Sequence, residues 1–138
     1  RPVMKKNYLL APGPTPIPER VAAILGQPIP HHRTPGFEKI FQETRDGLRW
    51  LFQTKQEVIM LSATGTGAMD AAVSNLFRRG DSVITINAGK FGERWTKIAK
   101  VYGLSPIEMK LPPGSAVAPA ELEKILAANP GAKGILFQ

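Results

Sequence analysis

The chain contains no cysteine. Within these residues that excludes a disulfide framework, a thiolate metal site and a cysteine nucleophile, and it agrees with a cytoplasmic home. Long apolar runs are also missing: none approaches the roughly 20 residues that a membrane-spanning helix needs, so no membrane partner is expected. The first apolar patch, Tyr8-Leu9-Leu10-Ala11, is too short for a secretory core of about 7–15 residues. Met4 reads as a natural start, with Arg1-Pro2-Val3 left over from cloning. Acidic residues are few, 11 against 18 Lys and Arg, which leaves a net charge of +7. The basic residues stand singly or in pairs such as Arg78-Arg79, and no basic tract interleaves with aromatics. The excess therefore reads as a solvated surface that favours anionic ligands, and no nucleic-acid partner is expected.

What is present is the composition of an ordinary soluble domain, 43% hydrophobic and 21% charged over 138 residues, enough to bury a core. One stretch organises it. The β-rich run Glu57-Val58-Ile59-Met60-Leu61 breaks into Ser62-Ala63-Thr64-Gly65-Thr66-Gly67 and then turns helical at Ala68-Met69-Asp70. Strand, glycine turn and helix start form a layout suited to an anion. The first-turn N–H groups have no intrahelical partner, and the helix dipole adds partial positive charge there. Gly65 and Gly67 admit a ligand close to the backbone, and Thr64 and Thr66 add hydroxyl donors.

Prolines crowd residues 8–30 (Pro12, Pro14, Pro16, Pro18, Pro28, Pro30), which favours extended backbone, interrupted by a helical turn over Glu19 to Leu25. On composition this is a wandering arm; a stiff turn at Ala11–Thr15 facing a ligand is the functional alternative. Thr34 as N-cap and Pro35 at the first helical position open an amphipathic helix carrying Phe37, Ile40, Phe41, Leu48, Leu51 and Phe52 on one face. His31 and His32 are adjacent, without the spacing or companions of a metal site, so no metal is expected. Ala68 to Phe77 is apolar almost all round and reads as a buried helix capped by Gly80.

Ser82 to Ile86 reads as a strand, and Asn87-Ala88-Gly89-Lys90-Phe91-Gly92 as a second glycine turn. A helix with Trp95, Ile98, Ala99 and Tyr102 on one face ends at Gly103. Ser105 to Lys110 is a strand, and Pro119 opens a helix with Leu122, Ile125 and Leu126 inward. Gly134 to Gln138 begins a further core strand, so the chain is expected to be part of a longer protein. Alternating strands and helices imply a mainly parallel sheet flanked by helices, an α/β fold. Both glycine turns would then lie at strand carboxyl ends, where such sheets bind ligands, and would wall one pocket together. On pattern alone Phe91 reads as a core aromatic.

Nucleotide patterns fail on spacing. A Walker loop needs glycine where Ile84 stands, and the dinucleotide fingerprint needs a small residue where Asp70 stands. The remaining pattern resembles the fold-type I pyridoxal-phosphate enzymes of aminotransferase class V, in the branch of the alanine–glyoxylate and serine–pyruvate aminotransferases. Four segments carry the likeness: Ala63 to Val73 with Asn75-Leu76 and Gly80-Asp81; Leu10 to Pro18; His32 to Phe37; and Gly89 to Trp95. It runs from about Tyr8 to Gln138.

The resemblance implies an N-terminal arm over 1–30 and part of the cofactor-binding large domain over 31–138. It implies pyridoxal 5'-phosphate as cofactor, with Thr64, Gly65, Thr66 and Gly67 holding the phosphate and Phe91 stacking on the ring. Pro12, Gly13 and Pro14 match an arm near the amino-acid substrate. The implied protein is a homodimeric aminotransferase moving an amino group from alanine or serine to glyoxylate or pyruvate. Ala63 departs from the glycine common in relatives. The family's Schiff-base lysine, its pyridine-pairing aspartate and its substrate-gripping arginine are expected beyond Gln138, so these residues alone would not transaminate. A desulfurase or lyase of the same fold, or a non-catalytic phosphate-binding scaffold, are the alternatives.

Overall fold

The computed structural model describes residues 9–138; the expected start at Met4 and the head of the apolar patch at Tyr8 lie outside the described residues. The chain divides after Met60 into two compact units. In the first, Pro12 to Pro18 follow bends and extended backbone, and helix α1 (Glu19–Leu25) begins only where the prolines stop. Helix α2 (Pro35–Leu51) starts as its residues dictate. Thr34 is extended, its hydroxyl accepts the Phe37 N–H at 3.4 Å, and Pro35 sits where no N–H is needed.

The strand expected at Glu57–Leu61 does not form. A β-strand needs a neighbouring backbone to satisfy its N–H and C=O groups, and residues 57–64 find no ladder partner among the described residues. Glu57 is instead drawn to α2, where Arg45 and Arg49, about one helical turn apart, both donate to its carboxylate. Ile59 and Leu61 stay largely exposed.

The second unit contains helix α3 (Gly65–Leu76), strand β1 (Ser82–Asn87), helix α4 (Lys90–Val101), strand β2 (Ser105–Lys110), helix α5 (Pro119–Ala128) and strand β3 (Ile135–Leu136). The three strands form a parallel sheet in the order β2-β1-β3, and the fold is α/β with helices against a parallel sheet. Central β1 is buried from Val83 to Ile86 on both faces, which is why it reads as an unbroken β-branched run. The two crossovers leave in opposite senses, so right-handedness places α4 and α5 on opposite faces.

Val83 packs in a core with Val73 of α3, Ala99 of α4, Leu104 and Leu136; Phe77, Trp95, Ile98 and Tyr102 close over it. On the same face the Thr85 and Thr96 hydroxyls, both buried, hydrogen-bond to each other at 2.8 Å.

Three local expectations are corrected. Helix α3 buries only Met69 and Val73, and Leu76 is 73% exposed; an alanine-rich helix needs only one face against a sheet. Its cap is not Gly80: the chain turns extended at Phe77, and Gly80, with φ +89, belongs to the turn into β1 and donates to the Gly103 carbonyl at 2.8 Å. Leu126 of α5 is exposed, while Leu122 and Ile125 are half-buried. Gly103 does end α4. At φ +74 it lets its own N–H reach Lys100 and the Leu104 N–H reach Ala99, pairing carbonyls that the last turn would leave open.

Helix α4 meets β1 at unusually short range. A Cβ on Gly92 would lie 2.5 Å from the Ile86 carbonyl oxygen and 2.9 Å from Asn87 Cα, backbone atoms that cannot swing aside. Gly92→Ala is therefore predicted to destabilise the protein by about 2 kcal/mol, measured as a lowered urea midpoint at unchanged slope.

At the end of β1, Asn87 Nδ2 donates to Glu108 Oε1 at 2.8 Å, and Thr96 donates to the same oxygen at 3.3 Å. The Asn87 hydrogen bond holds the Glu108 carboxyl below its ordinary range against the opposing effect of burial, and Lys110 adds to the lowering. A depressed folded pKa contributes stability above the unfolded value, and that contribution is lost as pH falls through the folded value. Glu108→Gln should cost about 1 kcal/mol at neutral pH. The difference should vanish in unfolding titrations well below the ordinary carboxylate range.

Candidate functional site

Helix α3 begins at Gly65 because Thr64 caps it. Thr64 is extended (φ −84, ψ 164); its Oγ1 accepts the Gly67 N–H at 3.1 Å and its carbonyl accepts the Ala68 N–H at 3.1 Å. With Gly67 and Ala68 served, the first-turn donors without a partner among the described residues are the N–H groups of Gly65 and Thr66. No acidic side chain occupies that turn, and Thr64, Gly65 and Thr66 are exposed. A Cβ on Gly65 would meet nothing within 4 Å, so the approach to this backbone is open.

The second glycine turn follows β1. Asn87 Oδ1 accepts the Gly89 N–H at 3.4 Å, and the Asn87 carbonyl accepts the Leu111 N–H at 2.9 Å, which pins the turn to the sheet. Phe91 then falls in the first turn of α4 and Arg94 one turn on. Unlike α3, this helix start already holds an anion. Glu93 is bound by Lys97 at 2.6 Å and Lys90 at 3.2 Å, and the Lys97 and Lys90 hydrogen bonds hold its carboxyl below the ordinary range. Of the two helix starts, α3 is the one open to an external anion.

Arg94 brings the two turns together. Its Nη1 donates to Thr66 Oγ1 at 2.7 Å, and its guanidinium carbon stands 5.0 Å from the centroid of the Phe91 ring. Sequence reasoning placed Thr66 and Phe91 in one site and did not single out Arg94; its one signal was the helical i,i+3 spacing from Phe91. Asp70, where the dinucleotide pattern broke, neighbours Tyr102, the residue that follows α4. The neighbouring Asp70 carboxylate, with burial, raises the Tyr102 phenol.

Pro12, Gly13 and Pro14 lie in the first unit, exposed, in a run of bends with a cis Gly13–Pro14 peptide bond. In the same unit a cavity of about 500 Å³ is lined by His32, Arg33, Thr34, Phe37 and Phe41. His31 Nδ1 there accepts the Arg33 N–H at 3.1 Å. Among the described residues no group of three His, Asp or Glu side chains gathers as metal ligands. A second cavity, about 420 Å³, lies beside α4 and β2 among Lys90, Lys97, Lys100, Glu108 and Lys110; neither the Thr64–Gly67 loop nor Phe91 lines it. No helix of the described residues is long and apolar enough to cross a membrane.

Comparison with known proteins identifies the family. The family model of aminotransferase class V matches residues 7–132. A protein described as the small subunit of a soluble hydrogenase from Synechococcus is 40% identical over 88% of this chain and 32% of its own length. An aspartate aminotransferase structure from Thermus thermophilus superposes with a TM-score of 0.78 at 36% identity, over 94% of this chain and 36% of that one. An alanine–glyoxylate aminotransferase structure from Nostoc gives 0.73 at 31% identity, over 93% and 34%. The chain thus spans about a third of the length of these relatives. With one family model covering nearly all of it and the glycine-turn site at its centre, the chain belongs to the class V aminotransferases, whose cofactor is pyridoxal phosphate.

Proposed function

We propose that the protein carrying these residues is a pyridoxal-phosphate-dependent aminotransferase moving an amino group from alanine or serine to glyoxylate or pyruvate. In this reading Thr64, Gly65, Thr66 and Gly67 hold the cofactor phosphate and Phe91 flanks its ring. Residues 1–30 form the arm, 31–138 part of the cofactor domain, and Pro12, Gly13 and Pro14 lie toward substrate in a homodimer. The Schiff-base lysine belongs to a later part of the protein.

The observation that carries the reading is the pairing of an anion-ready helix start with an aromatic ring through one arginine. The donor set fits a phosphate dianion. It comprises two backbone N–H groups, two threonine hydroxyls, the positive end of a twelve-residue helix and no competing carboxylate. Thr64 has a double role, since its oxygen caps the helix while its proton stays free to donate. Phe91 offers an apolar face that helps fix the plane of a flat ring. Pyridoxal phosphate, when bound, supplies an electron-withdrawing ring that takes up negative charge from the amino-acid Cα; the residues described here orient that ring and anchor its tail.

The substrate choice follows the Nostoc relative, an alanine–glyoxylate aminotransferase; the Thermus relative, an aspartate aminotransferase, supplies the competing donor. The deciding assay supplies the complete protein and pyridoxal phosphate with alanine, serine or aspartate as donor and glyoxylate or pyruvate as acceptor. Keto-acid formation from alanine or serine is expected, and transfer from aspartate alone would overturn the proposed donor. Thr64→Ala removes both the cap and a hydroxyl donor. It should weaken pyridoxal-phosphate binding about tenfold and lower stability by about 1 kcal/mol, read by equilibrium dialysis and urea denaturation.

A further inference from the structure

We infer that Arg94 is a positioning residue for the phosphate anchor, held beside Phe91 and acting through Thr66 without itself belonging to the phosphate's ligands. The inference rests on the proposed cofactor site and assigns a role to a residue outside the loop.

Arg94 stands on α4, whose first turn is pressed against β1 at Gly92. Its Nη1–H is spent on Thr66 Oγ1 at 2.7 Å. A threonine hydroxyl has one proton to give and lone pairs to receive. With Arg94 donating into the oxygen, the proton is directed elsewhere, and the open side of α3's first turn is where an anion would take it. The same bond places a fixed cationic charge one hydroxyl behind the anion. That polarises the donor and stabilises a dianion without direct contact. The guanidinium also lies within cation–π range of Phe91 at 5.0 Å, which helps to hold Arg94 in the position from which it reaches Thr66. No carboxylate competes for Arg94: its nearest acidic neighbour in sequence, Glu93, is held by Lys90 and Lys97. An arginine with no acidic partner among the described residues and two contacts that both face the proposed site is placed for a ligand's anion rather than for a structural ion pair.

Lysine cannot reproduce this arrangement, because a single ammonium lacks the planar fork that bonds Thr66 while lying near a ring. The prediction is therefore specific to the phosphate and to the guanidinium.

The experiment measures binding of pyridoxal 5'-phosphate and of pyridoxal, which lacks the phosphate, to the complete protein by equilibrium dialysis. Wild type, Arg94→Gln, Arg94→Lys, Thr66→Val and the Arg94→Gln/Thr66→Val double variant are compared. Both Arg94 variants should lose about tenfold or more for pyridoxal phosphate and change by less than about twofold for pyridoxal, with unaltered circular dichroism. Thr66→Val should show the same phosphate-selective loss, and the double variant should bind no worse than the weaker single, because one coupled unit has been removed. Should Arg94→Gln not fold, Arg94→Lys and Thr66→Val carry the comparison. Equal losses for both ligands, unchanged pyridoxal-phosphate affinity in the Arg94 variants, full rescue by Arg94→Lys, or additive losses in the double variant would each overturn the inference. Absence of pyridoxal-phosphate binding by the wild-type protein would overturn the cofactor reading itself.

Discussion

The close approach of α4 to β1 at Gly92 is the constraint on which the site depends. Only a residue without Cβ fits there, because a methyl group would stand 2.5 Å from the Ile86 oxygen. That contact fixes where Phe91 begins its turn and, one turn later, where Arg94 projects. Because backbone meets backbone, little slack remains to be taken up by rotamers. Below it, the hydrogen-bonded set of Thr85, Thr96, Glu108 and Asn87 closes the carboxyl end of β1 and ties Gly89 to the sheet. The site is thus aimed by the sheet and only finished by its loops.

Electrostatics then separates two helix starts that look alike in sequence. Each follows a glycine turn and each carries the positive end of a helix dipole. At α4 that charge is answered by Glu93 between two lysines, so an external anion would meet a carboxylate first. At α3 nothing acidic stands in the first turn, and Arg94 adds a cation from behind. The surroundings are exposed, so water screens these terms until a ligand excludes it. Short-range donors, not the long-range field of a +7 chain, carry the selectivity.

Much of this was legible in the sequence, and the misses have a common cause. Helix α1, the Thr34 cap, β1 and the Gly103 stop follow from local chemistry: proline spacing, a hydroxyl one residue before proline, a β-branched run, a left-handed glycine. The run Glu57–Leu61 has strand composition, but strand formation is a property of two backbones, and no ladder partner among the described residues stands beside it. The turn role of Gly80 depends on which carbonyl its N–H finds, and it finds Gly103, 23 residues on. Arg94 escaped for the same reason. Its partner Thr66 is 28 residues earlier, and nothing in a one-dimensional pattern marks a guanidinium for a particular hydroxyl. The family likeness located the loop; the tertiary contact explains how the loop is held.

A crystal structure of the complete protein soaked with pyridoxal 5'-phosphate is the most direct test of the central claim. The account predicts phosphate oxygens within hydrogen-bond distance of the Gly65 and Thr66 N–H groups and of the Thr64 and Thr66 hydroxyls. The ring should lie beside Phe91, and Arg94 should still donate to Thr66. A phosphate seated instead among Lys90, Lys97, Lys100 and Lys110 beside β2, or a ring away from Phe91, would contradict it.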